Sequence, residues 1–143
     1  MAAISDYLED KLIRYIFRGE AFTPATTQGV ALFTAAPSDS GGGTEVVTSG
    51  GTLYAREAVV TSPTGSTEWS APASTTGLTD NVNTLEYPTA GADWGTITSV
   101  GIFDSTTVGA GNLYFFGNLT TNKIVNSGDT FKFNVGDLNV VLA

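Results

Sequence analysis

The last fifty residues constrain the fold most. From Trp94 to Ala143, short runs of β-branched and aromatic residues alternate with turns rich in Gly, Asn, Asp and Ser. Ile97 to Phe103 is one such run, with Gly101 marking a bulge or a close backbone approach. Leu113-Tyr114-Phe115-Phe116 follows across Gly109-Ala110-Gly111-Asn112, the pattern of a hairpin. Lys123-Ile124-Val125 is a short third run. After Asn126-Ser127-Gly128-Asp129, the residues Phe131, Phe133 and Val135 alternate with polar neighbours, as in a half-buried strand. Leu138, Val140 and Leu142 then share one face of a closing strand. Nothing reactive is clustered among these runs.

The middle of the chain repeats the theme less regularly. Gly29-Val30-Ala31-Leu32-Phe33-Thr34 reads as a buried strand after the turn at Thr23-Pro24. Pro37 to Glu45 is a loop by composition, and its Gly triplet lacks the Lys-Ser/Thr and following helix of a phosphate-binding loop. Leu53 to Val60 is expected as a strand with Tyr54, Arg56, Ala58 and Val60 on one face, Arg56 making a cross-strand ion pair. Residues 61–80 are rich in Ser, Thr, Pro and Gly around Trp69. Leu85 and Tyr87, followed by Pro88, suggest a strand that stops early or lies at an edge.

Only 14% of the residues are charged, against about 25% in a typical soluble domain. Thr, Ser, Val and Gly take their place, which favours strands and turns. A chain of 143 residues suits one domain. The expected fold class is therefore all-β, a β-sandwich or jelly-roll-like body over residues 21–143 behind an N-terminal helical element at 1–20. A formal charge of −8 argues against nucleic acid as a partner, since phosphate binding needs clustered Lys and Arg. Cys and His are both absent, so disulfides and Cys-based zinc sites are excluded. No leader peptide and no run long enough to span a membrane is visible, so synthesis in a host cytoplasm and no membrane partner are expected.

Residues 4 to 18 form the one strong helical pattern. Ile4, Leu8, Leu12, Tyr15 and Ile16 recur at three- and four-residue spacings, and Ile13 and Phe17 widen the apolar face. Ser5 or Asp6 can cap its start and Gly19 its end. Asp6, Glu9 and Asp10 precede Lys11, Arg14 and Arg18, the order that the helix dipole favours. Two uses are open: packing over one side of its own sheet, or docking on a neighbouring subunit by i, i+4 anchors. The interface candidates are Leu8, Lys11, Leu12, Arg14, Tyr15 and Arg18.

Chemistry without His or Cys rests on carboxylates, hydroxyls or a metal. Glu86, Asp93 and Asp104 flank the best strands, but a glycosidase pair needs two carboxyls about 5 to 10 Å apart across a cleft. Turn Asp residues more commonly bond their own backbone. A calcium site from Asp39, Glu45 and loop carbonyls is conceivable in charge terms, as is carbohydrate stacking on Trp69, Trp94 or Tyr87, although aromatics in sheets are mostly core. No catalytic, cofactor or metal site is expected.

The order of segments resembles a family of small virion proteins of tailed phages and prophages. The resemblance rests on Tyr7-Leu8-Glu9-Asp10-Lys11-Leu12, Val30-Ala31-Leu32-Phe33-Thr34 and Tyr54-Ala55-Arg56. It continues through Asp93-Trp94-Gly95-Thr96-Ile97, Val100-Gly101-Ile102-Phe103-Asp104, Gly117-Asn118-Leu119 and Val125-Asn126-Ser127-Gly128-Asp129-Thr130-Phe131. Members are labelled tail-fibre proteins, and some cyanophage capsid cement proteins look similar. The resemblance implies a structural virion component and no enzyme. The absence of shaft-like repeats favours a capsid cement or decoration protein, on the capsid surface, with the major capsid protein as partner and a homotrimer as the family-style assembly. The alternative is a tail-fibre, baseplate or adhesin-type module that binds host carbohydrate through loops 37–51 and 61–80.

Overall fold

The computed structural model describes residues 3–62, 67–72 and 77–142. Along the chain lie β1 (Ala3–Ile4), α1 (Asp6–Arg18), β2 (Thr27–Ala35), β3 (Thr44–Glu45), β4 (Glu57–Val60) and β5 (Leu78–Asp80). They are followed by β6 (Leu85–Glu86), β7 (Gly95–Phe103), β8 (Leu113–Val125), β9 (Lys132–Phe133) and β10 (Asn139–Val141). The fold is all-β with one N-terminal helix, as the composition and periodicity imply.

The principal sheet runs β1-β8-β7-β2-β3, with β4 also paired to β2, and every pairing is antiparallel. Its centre is the β2–β7 ladder, where Val30 faces Ile102 and Leu32 faces Val100. Residues directly opposite share a face, so these four apolar side chains point the same way. That face is covered by two ribbons, β5–β10 and β6–β9; Leu85 and Phe133 of the second, with Leu138 just before β10, join Val30, Leu32 and Val100 in one core. The second layer is thus two short ribbons and not a second broad sheet.

Tyr87 lies near the middle of this core and is 1% exposed. Its ring meets Trp94 and Phe131 edge-on and stacks parallel to Tyr54, and its hydroxyl donates to the Val30 carbonyl at 2.9 Å. Burial raises the phenol pKa well above its ordinary value. The hydrogen bond is what makes a buried hydroxyl tolerable here.

Several expectations need correction. Ile4 belongs to β1, pairing with Phe115, and not to the helix. The alternation expected over Leu53–Val60 breaks in the middle: Tyr54 and Arg56 are buried, but the inward position in β4 is Val59, with Ala58 and Val60 exposed. Ladder pairing begins only at Glu57, opposite Val30, after an irregular stretch that starts at Leu53 with φ of 59°. Val135 is exposed because the strand stops at Phe133 and enters a turn, where the Asp137 carboxylate accepts from the Asn134 N–H and side-chain amide. Leu142 lies past the end of β10 and is also exposed. The runs Leu113–Phe116 and Lys123–Val125 are two parts of β8, separated by a bulge in which residues 119–122 face only Thr98. Gly101 is a close approach: a Cβ there would meet Leu113, Phe103 and Phe33 at 3.1 Å.

Candidate docking surface

Helix α1 is fastened to the body at its first turn. Ser5 is the N-cap, its Oγ accepting from the Leu8 N–H at 3.3 Å and donating to the Leu113 carbonyl. The Ser5 N–H donates to Tyr114 O at 3.0 Å, and the Asp6 N–H to Asp39 O at 2.9 Å. Tyr7 stacks on Tyr114 with ring centroids 6.2 Å apart, and Leu8 is buried. At the other end Gly19 adopts the left-handed conformation that closes the helix.

Beyond Leu12 the helix leaves the body. Ile13, Tyr15, Ile16 and Phe17 are 57%, 58%, 65% and 79% exposed. Ile13, Ile16 and Phe17 stand at i, i+3 and i+4, so they form one apolar arc. Large side chains grouped in this way on a surface mark an interaction site more often than singly scattered ones do.

The charges beside the arc are already engaged. Arg14 Nε lies 2.8 Å from Asp10 Oδ2 and its Nη1 lies 3.4 Å from Glu20, while Arg18 Nε lies 3.0 Å from Glu20. Hydrogen bonds to Asp10 and then Glu20 raise the Arg14 pKa above its ordinary value. Lys11 Nζ sits 5.4 Å above the Tyr7 ring. Of the residues expected at an interface, Leu8 serves the body, Lys11 and Leu12 are half-buried, and Tyr15 is exposed. Arg14 and Arg18 are exposed but paired within the helix end. Ile13, Ile16 and Phe17 were the residues to add, and their signal was the width of the apolar face.

The chemical candidates hold structural positions. Arg56 forms an ion pair with Glu45 at 2.7 Å, so the expected ion pair is present, but it is not cross-strand, because Arg56 lies in the segment before β4; both oxygens of the Glu45 carboxylate are engaged by it. Asp39 accepts from the Ser40 N–H. Among the described residues no group of three or more acidic side chains is placed to hold a metal. Asp93 accepts from the Ser127 N–H and Asp104 from the Asn112 N–H and side-chain amide. These two carboxylates bracket the nine residues of β7, which places them roughly 30 Å apart by strand rise, too far for a catalytic pair. Glu86 is exposed on β6.

The aromatic candidates for sugar stacking are largely withdrawn from the surface. Tyr87 and Trp94 are buried, and Trp94 Nε1 donates to Thr52 O at 2.8 Å. Trp69 is half-buried against the core and donates to Gln28 Oε1 at 3.2 Å. In the loop 61–80, residues 63–66 and 73–76 lie outside the described residues. No described helix is long and apolar enough to cross a membrane.

A family model described as podophage GP4 fiber I protein gp80 matches residues 3–141. No curated protein matches the sequence. The match begins at β1, takes in α1 and ends at β10, so it spans the anchored helix together with both layers of the body. The chain therefore belongs to the podophage GP4 fiber I protein gp80 family, a family of tailed-phage virion proteins.

Proposed function

We propose that this chain is a non-enzymatic structural subunit of a podophage fibre, joined to its neighbours in the virion through the projecting half of α1. The observation that carries this reading is the apolar arc Ile13, Ile16 and Phe17, held out from a body to which the same helix is anchored by Ser5 and Leu8. A helix used only to cover its own sheet would turn those side chains inward. The family description supports placement in a fibre. The structural use of Asp93, Asp104, Glu45 and Trp94 supports assembly over catalysis or sugar binding.

A second placement, as a capsid cement protein on the major capsid protein, is favoured by one observation. The described body is a two-layer unit built on one sheet, without the repeated elements of a shaft. Gold-labelled antibody against the chain, imaged on intact virions, separates the two. Label confined to the tail region supports the fibre reading, and label spread over the head supports the cement reading and overturns the first.

A further inference from the structure

We infer that Phe17 of one copy seats in an apolar pocket between β8 and β10 of the next, a head-to-tail contact between copies of this chain. This rests on the reading of α1 as the docking element and names the surface that receives it.

The pocket exists because the second layer stops short of the sheet edge. β10 pairs with β5 alone, while β8 pairs with β7 and, at Phe115 and Phe116, with β1. Among the described residues no strand bridges β8 and β10. Phe115 faces Ile102 and Gly117 faces Val100 across the ladder, so both look toward the core side, yet both are only half-buried. The opening is a cavity of about 140 Å³ whose apolar lining includes Val100, Ile102, Phe115, Leu119, Leu138 and Val140. Asp137 is the one carboxylate on it, and it accepts from the Asn134 N–H and side-chain amide.

Size and exposure select the occupant. An apolar cavity of about 150 Å³ holds benzene, so this one matches a phenyl ring. Phe17, at 79%, is the most exposed large apolar side chain among the described residues, and it stands near the end of the projecting helix. Being exposed, it does not fill the pocket of its own chain. Charge permits the approach of a second copy. Asp6, Glu9 and Asp10 balance Lys11, Arg14 and Arg18 along α1, and no Asp or Glu occurs from Ser105 to Gly128. Chains of charge −8 repel one another, and a balanced helix meeting the acid-free β8 edge avoids most of that penalty.

Knob and pocket are different surfaces, so the contact is heterologous: it closes into a ring where the rotation allows and otherwise propagates. A single buried aromatic side chain contributes roughly 150–250 Å², against roughly 800 Å² per partner in a standard stable interface. The isolated contact is accordingly weak and dependent on concentration.

Sedimentation velocity of the full chain over a dilution series tests this. The expected result is a species heavier than the 14.8 kDa chain that dissociates on dilution. Phe17→Ala should weaken self-association about ten- to hundredfold, the loss of one buried apolar side chain. Val140→Phe, which fills the pocket, and Leu119→Trp, which closes its mouth, should do the same with an unchanged circular dichroism spectrum. Leu119→Trp carries the test if Val140→Phe does not fold. Mixing the Phe17→Ala chain with a folded pocket variant should give a complex of one copy of each and nothing larger, because one knob and one pocket remain. Association indifferent to Phe17→Ala, wild-type association by the folded pocket variants, or no complex in the mixture overturns the inference. A single-chain mass at every concentration, with the Phe17→Ala chain still depleted from virions, overturns the second copy as the receiving surface and leaves the docking role of α1 standing.

Discussion

Arg56 and Glu45 are joined by two parallel hydrogen bonds, Nε to Oε1 at 2.7 Å and Nη2 to Oε2 at 2.8 Å, with the arginine side chain 1% exposed. The pair ties β3 to the segment before β4. Arg56 Nη1 adds the carbonyls of Ser105 and Ala110 at 2.8 and 2.9 Å, so the β7–β8 connection is held as well. Tyr54 donates to the same carboxylate at 3.1 Å, and the Phe103 ring lies 4.0 Å from the guanidinium. Arg56→Met strands a buried carboxylate and two carbonyls, and is expected to lower unfolding free energy by about 3–5 kcal/mol in urea titration. Replacing both residues, Arg56→Met with Glu45→Leu, should recover part of that loss. A single-variant loss below about 1 kcal/mol would mean the pair behaves as a surface contact.

Glu57 gives the fold a measurable pH dependence. Burial, then the charges of Glu68 and Glu86, raise its pKa above the ordinary carboxylate value. A carboxyl whose folded pKa exceeds its unfolded one is destabilising when ionised, so its penalty is present at neutral pH and disappears as pH falls through the raised value. Glu57→Gln should therefore raise the melting temperature at pH 7, by less than about 1 kcal/mol in stability because the site is partly solvated. The benefit should vanish in acid, where the wild-type group is protonated, and shrink in high salt. An equal benefit at every pH would assign the effect to packing instead.

Gly29 and Gly101 should differ in tolerance although both lie in central strands. A Cβ on Gly29 would collide with the Ser105 carbonyl oxygen, which is backbone, whereas one on Gly101 would meet side-chain carbons at 3.1 Å that can give way. Gly29→Ala is expected to cost about 3 kcal/mol and Gly101→Ala about 1 kcal/mol, measured by thermal denaturation. Equal costs would contradict this reading of the two contacts.

Ser5 both caps α1 and bonds the Leu113 carbonyl. Ser5→Ala is expected to cost about 1–2 kcal/mol and to speed amide exchange in α1 more than in β7. Uniform acceleration across the sheet would show that the helix and body open together.

The legible parts of this fold were those fixed by neighbours in sequence. A capped helix start at Ser5 or Asp6, the Gly19 stop and the β2 and β7 runs follow from local spacing and conformational preference, and the fold selects Ser5 as the cap. That Arg56 would pair was readable, but its partner was not, because Glu45 lies in a two-residue strand inside a Gly-rich loop. The inward shift from Arg56 to Val59 was hidden because the ladder with β2 starts only at Glu57, after an unpaired stretch, and no residue type between them marks the change of face. At the candidate docking surface, the helix periodicity showed the apolar residues. Which of them the body would use depended on where Ser5 and Leu8 meet β8, a contact more than a hundred residues away in sequence.

The most direct test of α1 as the attachment element is the content of virions assembled with an Ile13→Asp/Phe17→Asp chain in place of the natural one. Both residues are exposed on the helix, so the variant should fold with an unchanged circular dichroism spectrum. Quantitative mass spectrometry of purified particles is expected to find the folded variant strongly depleted relative to the wild-type chain. Incorporation at the wild-type level would contradict attachment through α1.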